Sequence, residues 1–220
     1  MGGTVSAADC VQGTAEWLQA RVGFITASCM ADVFARGRDG KSEGVTRKNY
    51  RAKLVVERLT GVSCDRGYKS KAMLDGNELE PLARAAYEIR NGVMVDQVGF
   101  IEHPTIAWYG CSPDGLVGTE GGMQIKCGFP ATHIQWFKAG VVPTEHKPQM
   151  FSEMNCTDRK WWDFVSFCPE LPDDMQLLIA RLFRDGKEMS LIEDGVMKFN
   201  GEIAADIEEM TDLARLRAIR

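Results

Sequence analysis

The sequence predicts an α/β fold in which a central sheet is covered by helices on both faces. Apolar residues recur at helical spacing in the first part of the chain and stop at Asn91-Gly92, a pair that favours the left-handed end of a helix. Short runs rich in β-branched and aromatic residues follow, separated by turn residues. Helical spacing returns at the end of the chain, and this order is typical of helices packed around a sheet.

Length and composition favour a single domain. The chain has 220 residues, of which 45% are hydrophobic and 26% are charged, so it can bury a core of ordinary size. No internal repeat or linker divides it, and its apolar runs are too short and too charged to cross a bilayer. We therefore predict one domain over residues 1–220, with residues 1–15 as a disordered arm, and we exclude a membrane protein.

Two helices are predicted before the central part of the chain. Thr26 or Ser28 can cap a short helix that ends near Phe34. Thr46 can cap a second helix, which ends at Gly61 because glycine readily adopts the left-handed conformation.

A third helix is predicted over residues 70–90, and the sheet follows it. The strands are predicted at residues 93–100, 106–109, 123–127, 161–168 and 175–183. One further helix, at residues 148–155, lies between the third and fourth of these strands.

The chain is predicted to end in an amphipathic helix that follows a turn at Asp185-Gly186. The apolar stripe of this helix consists of Ile203, Ile207, Met210, Leu213 and Leu216. Acidic residues are expected near its start, where the macrodipole favours negative charge: Glu202, Asp206, Glu208 and Glu209.

The charge distribution leaves a nucleic-acid partner open. A net charge of −5 does not by itself suggest DNA, because phosphates repel an acidic protein. Residues 36–53 nevertheless carry an excess of five positive charges, which leaves the remainder of the chain at −10. The basic residues of this run are Arg36, Arg38, Lys41, Arg47, Lys48, Arg51 and Lys53. The run is either a solvated surface or a polyanion contact, and in the second case we expect the DNA backbone to be bound by Arg36, Lys41, Arg47 and Lys48.

The cysteines indicate a reducing compartment. There are seven, an odd number, and none has CxxC or CxxH spacing. This pattern argues against a disulfide framework and against a zinc site, so we expect reduced thiols and a cytoplasmic protein.

The most specific chemical signal is a turn followed by a strand. Asp114 lies in the turn at residues 111–116 (CSPDGL), and Gln124 and Lys126 follow on a predicted strand. Residues two apart in a strand project to the same face, so Gln124 and Lys126 point to the side from which the turn can deliver a carboxylate. This is the layout of the PD-(D/E)XK nuclease site, except that Gln124 stands where the motif has Asp or Glu. Taken alone, the pattern also fits an ordinary hairpin.

Five blocks of sequence, in the same order, resemble the lambda exonuclease (YqaJ-like) viral recombinase family of alkaline exonucleases. EWLQARVGFITAS is similar to the family's W-x-x-x-R-x-G-x-I-T-A-S opening, and GNELEPLARAAYE is similar to its G-x-x-x-E-x-x-A-R helix. CSPDGL resembles its metal-binding turn, QIKC its (D/E)-x-K-C strand, and PQMFSEM its glutamine helix. The blocks lie at residues 16–28, 76–88, 111–116, 124–127 and 148–154. The resemblance implies a restriction-endonuclease-like core with a central mixed sheet.

The resemblance also implies a metal site with a catalytic lysine. Four residues are expected around one or two Mg²⁺ ions, for which Mn²⁺ can substitute: Asp114, Gln124, Ile125 through its carbonyl, and Glu80. Lys126 is implied as the catalytic lysine beside the attacking water. Without the resemblance, Glu80 could be an ordinary helix acid and Asp114 a turn cap.

Four further residues fall where the family holds the 5′-phosphate of the digested strand: Arg21, Ser28, Ser112 and Gln149. An arginine combined with hydroxyl and amide donors suits a terminal phosphate. The alternatives are a surface ion pair for Arg21, a helix cap for Ser28 and a helix-surface amide for Gln149. His133 stands where the family has a further basic residue and is a candidate on that ground alone, with a surface or core histidine as the alternative.

The function implied is a Mg²⁺-dependent 5′-to-3′ exonuclease on double-stranded DNA ends, which releases mononucleotides and leaves a 3′ overhang for recombination by strand annealing. The resemblance further implies a ring-shaped homotrimer and a single-strand annealing protein as partner, in a bacterial or phage-infected cell. An amide is a poorer Mg²⁺ ligand than a carboxylate, so we expect this form to be inactive or weakly active. Gln124 would then be an inactivating replacement of glutamate, or the chain a naturally degenerate homologue. The alternative functions are a PD-(D/E)XK endonuclease and a catalytically silent DNA-binding protein.

Overall fold

The computed structural model describes residues 7–65 and 71–218. Its α-helices are α1 (Ala15–Ala20), α2 (Met30–Val33), α3 (Val45–Thr60), α4 (Lys71–Asn91), α5 (Pro130–Ala139), α6 (Lys147–Thr157) and α7 (Gly186–Ala218). Its strands are β1 (Ile25–Thr26), β2 (Val95–Asp96), β3 (Ile101–Glu102), β4 (Tyr109–Cys111), β5 (Gly115–Val117), β6 (Gly121–Lys126), β7 (Trp161–Phe167) and β8 (Leu177–Phe183). Within these residues, no helix combines the length and the apolar character needed to span a membrane.

The strands form a five-stranded mixed sheet and a smaller three-stranded one. The larger sheet has the order β2-β5-β6-β7-β8, with β6 and β7 parallel and the other neighbours antiparallel. In the smaller sheet, β4 lies between β1, which is parallel to it, and β3, which is antiparallel. The predicted mixed sheet is therefore confirmed. Of the strands before residue 112, however, only β2 belongs to it, and β1, β3 and β4 form the second sheet.

Both faces of the larger sheet are buried against helices, as predicted. Along β7, Trp162 and Phe164 point into a core shared with α3, α6 and α7. Val165 and Phe167 point to the opposite face, against α4. Because alternate side chains enter different cores, β7 is apolar along nearly its whole length.

Several element boundaries differ from the predictions. α3 begins one residue before Thr46, and its N-cap is Gly44, which lies against the backbone of Ala35 where a side chain would not fit. Asp185, predicted in a turn, caps α7 by accepting a hydrogen bond from the N–H of Lys187 at 2.9 Å. The elements α1, α5, β1, β3 and β5 were not predicted. The predicted helix at residues 70–90 is confirmed from Lys71 onward, and residue 70 lies outside the described residues.

The acidic residues of α7 do not lie at its start. The helix begins well before Glu202 and Asp206, so its macrodipole does not act on them. They pair instead with α3, where Arg47 Nη2 lies 2.7 Å from Glu202 and Arg51 Nε lies 3.0 Å from Asp206. Both arginines also contact Glu43, at 2.6 and 2.9 Å. This network, called the α3–α7 network below, joins the two helices.

The basic run at residues 36–53 is therefore divided in two. Arg47 and Arg51 belong to the α3–α7 network, and Lys53 pairs with Asp65 at 2.7 Å. Arg47 is thus engaged within the protein, contrary to the expectation that it contacts DNA. The other basic residues of the run are Arg36, Arg38, Lys41 and Lys48, and all four are exposed.

The N-terminal segment is joined to the body of the protein from residue 7 onward. The N–H of Gly99 donates to the carbonyl of Ala8 at 2.7 Å, and the N–H of Phe100 donates to Ala7 at 2.8 Å. Gln12 Nε2 donates to the carbonyl of Pro113 at 2.7 Å. Residues 7–15 therefore differ from the disordered arm that we expected, and residues 1–6 lie outside the described residues.

A buried acid on β7 fixes α4 against the larger sheet. Asp163 accepts a hydrogen bond from the hydroxyl of Tyr87 at 2.8 Å and two from Arg181, at 2.8 and 2.9 Å. These contacts hold the second half of α4 in place. The preceding turns of the same helix carry Glu80 and Arg84, so the contacts also position these two residues.

Two glycines at the start of β6 face two tryptophans of β7. Gly121 lies opposite Trp161, and Gly122 lies opposite Trp162 in the parallel register. A Cβ atom on either glycine would overlap the facing indole ring. The fully buried indole of Trp162 lies beside Glu153 of α6.

Candidate active site

A cavity of about 200 Å³ lies where the end of α1, the segment between β4 and β5, the strand β6 and the helix α6 meet. The chain passes from the smaller sheet to the larger one at residues 112–114, which places this segment at the edge of the cavity. The predicted residues that line the cavity are Arg21, Ser28, Ser112, Asp114, Gln124, Lys126 and Gln149. Three residues that were not predicted also line it: Gln12, Trp17 and Glu153.

Asp114 is held against β6 by two hydrogen bonds. Its Oδ2 accepts from the backbone N–H of Ile125 at 2.7 Å and from Nε2 of Gln124 at 2.8 Å. Burial raises the pKa of Asp114, and the nearby charge of Lys126 acts in the opposite direction. The turn and the strand therefore bring the carboxylate and the lysine together, as the period of two along a strand predicts.

Gln124 is buried, with 3% of its surface exposed, and its amide nitrogen faces Asp114. Its Oε1 is buried and has no hydrogen-bond partner among the described residues. The N–H group of Gln124 therefore points to Asp114, where a metal ligand would have to present an oxygen lone pair instead. A carboxylate at position 124 would instead repel Asp114 until a cation was bound.

Glu80 lies beside the cavity and does not line it. It forms an ion pair with Arg84, which is one helical turn further along α4 and also donates to the carbonyl of Asp114 at 3.3 Å. Burial raises the pKa of Glu80, and the charge of Asp114 adds to this effect. Arg84 therefore connects the acid on α4 to the turn that carries Asp114.

The residues present suit a hard divalent cation, with one acid fewer than the motif requires. No group of three or more His, Cys, Asp or Glu side chains within the described residues could hold a metal ion. The available donors are oxygens, from Asp114, from the backbone of Ile125 and from the unpartnered amide oxygen of Gln124. A cation here would also favour the ionised form of Asp114, which burial disfavours, and would weaken the repulsion between Asp114 and the neighbouring Glu80.

Hydrogen-bond donors also line the cavity. The guanidinium of Arg21 stacks 4.0 Å from the centre of the Trp17 ring and has no carboxylate partner among the described residues. The indole N–H of Trp17 donates to Ser112 Oγ at 3.0 Å, which leaves the hydroxyl proton of Ser112 free to donate. Gln149 supplies an amide from α6, and Ser28 is exposed. An anion with several acceptor oxygens fits this arrangement.

His133 does not line the cavity. It is fully buried, with Nδ1 2.7 Å from Ser166 Oγ and Nε2 3.0 Å from the carbonyl of Met175. A carbonyl only accepts, so Nε2 carries a proton and donates to Met175. Its alternative role, as a core histidine, is the one that the structure shows.

Four residues that the sequence interpretation left without a role contribute to the site: Gln12, Trp17, Arg84 and Glu153. Trp17 could have been found, because it precedes Arg21 by one helical turn and the two therefore share a face. The same spacing relates Glu153 to Gln149 and Arg84 to Glu80. Gln12 carried no signal, because its place depends on contacts with residues far along the chain.

The mixed sheet with helices on both of its faces, and a cavity lined by Asp114, Gln124 and Lys126, are the architecture of a restriction-endonuclease-like nuclease fold. The chain belongs to the YqaJ-like viral recombinase domain family, whose model matches residues 16–160.

Solved structures support this assignment. The chain is similar to LHK-Exo, an alkaline exonuclease from Laribacter hongkongensis, with 44% identity, a TM-score of 0.84 and coverage of 92% of this chain and 98% of that one. The same values hold for a crystal structure of LHK-Exo in complex with dAMP. A phage-related exonuclease from Haemophilus somnus 129PT shares the fold, with 17% identity, a TM-score of 0.63 and coverage of 85% and 96%. No curated protein matches the chain.

Proposed function

We propose that this protein is a divalent-metal-dependent exonuclease that digests the 5′-terminated strand of duplex DNA. It would release mononucleotides and leave a 3′ overhang for recombination by strand annealing. One observation carries the proposal: a single cavity is lined by Asp114, Gln124 and Lys126 and also by Arg21 and Ser112, which have no carboxylate partner among the described residues. A terminal phosphate bound by the donors would place the next phosphodiester close to the acid and the lysine.

Each of these two groups of residues has a chemical task in this proposal. Arg21 and the hydroxyl of Ser112 bind the terminal phosphate, which has more charge than an internal diester. Lys126 holds the attacking water and stabilises the negative charge that develops on the phosphate oxygens. Asp114, Gln124, Glu80 and the carbonyl of Ile125 would hold Mg²⁺ or Mn²⁺. When bound, that ion would lower the pKa of the water that it binds and neutralise negative charge on the phosphate oxygens.

The relative bound to dAMP supports release of mononucleotides. LHK-Exo, which is 44% identical to this chain, has been crystallised with this single nucleotide. The proposal expects this protein to release the same class of product.

A homotrimeric ring with a single-strand annealing protein as partner completes the proposal, for a phage-encoded or bacterial recombination system. A ring would let an acidic protein bind DNA if exposed basic residues faced the channel. The exposed basic residues of the run at 36–53 are the candidates for lining this channel.

A catalytically silent DNA-binding protein is the second candidate, and the orientation of Gln124 favours it. The amide nitrogen of Gln124 faces Asp114, where a third acid would complete the metal ligands. The two functions differ in whether any divalent cation supports cleavage.

Digestion of end-labelled duplexes tests the proposed function. The substrates carry a label at either 5′ end, with and without a 5′-phosphate, and are incubated in Mg²⁺ or Mn²⁺ with this protein and with Gln124→Glu. The proposal predicts mononucleotides from phosphorylated ends and no cutting of closed circular DNA. Cutting of the circle would instead indicate an endonuclease.

Replacing Arg21 with alanine should remove most of the preference for phosphorylated ends. The lost interaction is a charged hydrogen bond to a dianion, so we expect the preference to fall by about tenfold to a hundredfold. Equilibrium binding of duplexes with 5′-phosphate and 5′-hydroxyl ends measures it. Lys160→Ala, at an exposed lysine outside the cavity, is the control. Equal weakening for both ends would exclude Arg21 from this role.

Replacing Arg36, Lys41 and Lys48 together with glutamine should flatten the salt dependence of DNA binding. Each lost phosphate contact lowers the log–log slope by about one unit, so the triple variant should lose about three. Fluorescence anisotropy over a range of KCl concentrations gives the slope. Arg47→Gln is the control, since it should keep the slope and lower the free energy of unfolding through the α3–α7 network. An unchanged slope in the triple variant would identify the run as a solvated surface.

A further inference from the structure

Glu153 is a buried carboxyl in the wall of the cavity, and the proposed function does not use it. Only 1% of the residue is exposed, and every residue of α6 from 150 to 156 is buried. Burying a carboxyl is unfavourable unless its oxygens are hydrogen-bonded. The position of Glu153 therefore calls for a specific partner.

That partner is Gln149, one turn earlier on the same helix. Gln149 Nε2 donates to Glu153 Oε1 at 2.9 Å. On its other side the carboxyl lies beside the buried indole of Trp162, which packs against Gly122. Glu153 is thus enclosed by the core, whereas Gln149 is half-exposed and lines the cavity.

This contact determines which end of the Gln149 amide faces Glu153. A glutamine amide turns over easily, because its terminal torsion has two broad and similar minima. The two orientations differ for a bound phosphate, since the amide oxygen repels it and the N–H groups attract it. Because Glu153 Oε1 accepts a hydrogen bond, it favours the orientation in which the amide nitrogen of Gln149 faces it. The second N–H of that nitrogen has no acceptor among the described residues and is available to a ligand.

We propose that Glu153 is a positioning residue for DNA-end recognition, and that it acts by fixing the amide of Gln149 so that an N–H group faces a terminal phosphate. The inference rests on the proposed function, because it presumes that the donors in the cavity bind a 5′-phosphate. It adds a residue to which neither the sequence motifs nor the proposed chemistry gave a role.

The substitution Glu153→Gln tests this role with little change of shape. A glutamine at 153 can either accept from Gln149 or donate to it, so it no longer selects one orientation. The measured quantity is the ratio of the dissociation constants for 5′-hydroxyl and 5′-phosphorylated duplexes, obtained by fluorescence anisotropy in EDTA so that no cleavage occurs. We expect this ratio to fall by roughly tenfold in Glu153→Gln, the factor that one hydrogen bond to a charged group provides.

Glu145→Gln is the matched control. It makes the same exchange of glutamate for glutamine at an exposed residue just before α6, and within the described residues Glu145 forms no hydrogen bond with Gln149. The ratio should stay unchanged in this variant. Glu153→Asp is a second test that keeps the carboxyl group but shortens the reach, and it should lower the ratio as Glu153→Gln does.

A double-mutant cycle separates positioning from a general structural effect. If Glu153 acts through Gln149, Glu153→Gln should have no further effect on the ratio once Gln149→Leu is present. Additive losses in the double variant, or an unchanged ratio in both Glu153 variants, would overturn the proposal. A ratio of one in the unaltered protein would overturn the 5′-phosphate recognition of the proposed function, and the role of Glu153 with it. A ratio above one that survives both Glu153 substitutions overturns the role of Glu153 alone.

Discussion

Replacing Gln124 with glutamate should raise Mg²⁺-dependent cleavage of duplex DNA by at least about a hundredfold, the scale on which one electrostatic group acts in catalysis. The substitution exchanges the N–H group that faces Asp114 for a carboxylate oxygen, at nearly constant shape. Asp114 and the new carboxylate at position 124 would then present two negatively charged ligands to a divalent cation, across from Lys126. Release of labelled nucleotide from a 5′-phosphorylated duplex measures the change.

The stability of the same variant provides the control. Without metal, the new carboxylate lies beside Asp114, whose pKa burial already raises, so the variant should unfold slightly more easily than this protein in EDTA. Mg²⁺ should restore its stability, because a ligand that binds only the folded state stabilises it. If Gln124→Glu stays inert at every Mg²⁺ and Mn²⁺ concentration tested, the protein is not a nuclease of this type, and the silent DNA-binding function replaces the proposal.

Adding Lys126→Ala to Gln124→Glu should abolish the restored cleavage, with a loss of about a hundredfold or more. Lys126 lines the cavity and its charge acts on Asp114, so we expect its ammonium group to hold the attacking water. Binding of DNA should change little, because Arg21 and the other donors remain. Single-turnover cleavage and equilibrium binding, measured on the same duplex, separate the two effects.

A second lysine substitution shows whether the loss is specific. Lys160→Ala removes an equal charge from an exposed residue that pairs with Glu120, and it should leave cleavage unchanged. A Lys126→Ala variant that still cleaves at the rate of Gln124→Glu would remove Lys126 from the reaction.

The long elements of the fold could be predicted because their signals are local. Asn91-Gly92 ends α4 as expected, with Gly92 in the left-handed region, and β7 and β8 lie within a residue or two of their predicted bounds. The smaller sheet could not be predicted, since β1 and β4 are short strands from distant parts of the chain and their pairing depends on tertiary contacts. α5 was missed because its ten residues lack a clear apolar face.

The site was predictable where a motif fixed both the residue type and its spacing. Asp114, Gln124 and Lys126 come together because a turn precedes a strand of period two. The pairing of Gln124 with Asp114 and the unpartnered oxygen of its amide could not be foreseen, because they depend on side-chain orientation within a closed space. The α3–α7 network was equally hidden, since basic and acidic residues far apart in sequence give no sign that they pair.

The two glycines at the start of β6 limit how this part of the sequence can vary. Valine or isoleucine is the usual choice for a buried strand, but neither fits at Gly121 or Gly122, because the indoles of Trp161 and Trp162 fill the space. A larger residue at 122 would displace Trp162 and, through it, the carboxyl of Glu153 beside the cavity. A random mutagenesis library selected for DNA processing should therefore be depleted of substitutions at these positions, although neither glycine lines the cavity. Relatives that carry a bulkier residue at 121 or 122 should carry a smaller one opposite it on β7, so that the pair changes as a unit.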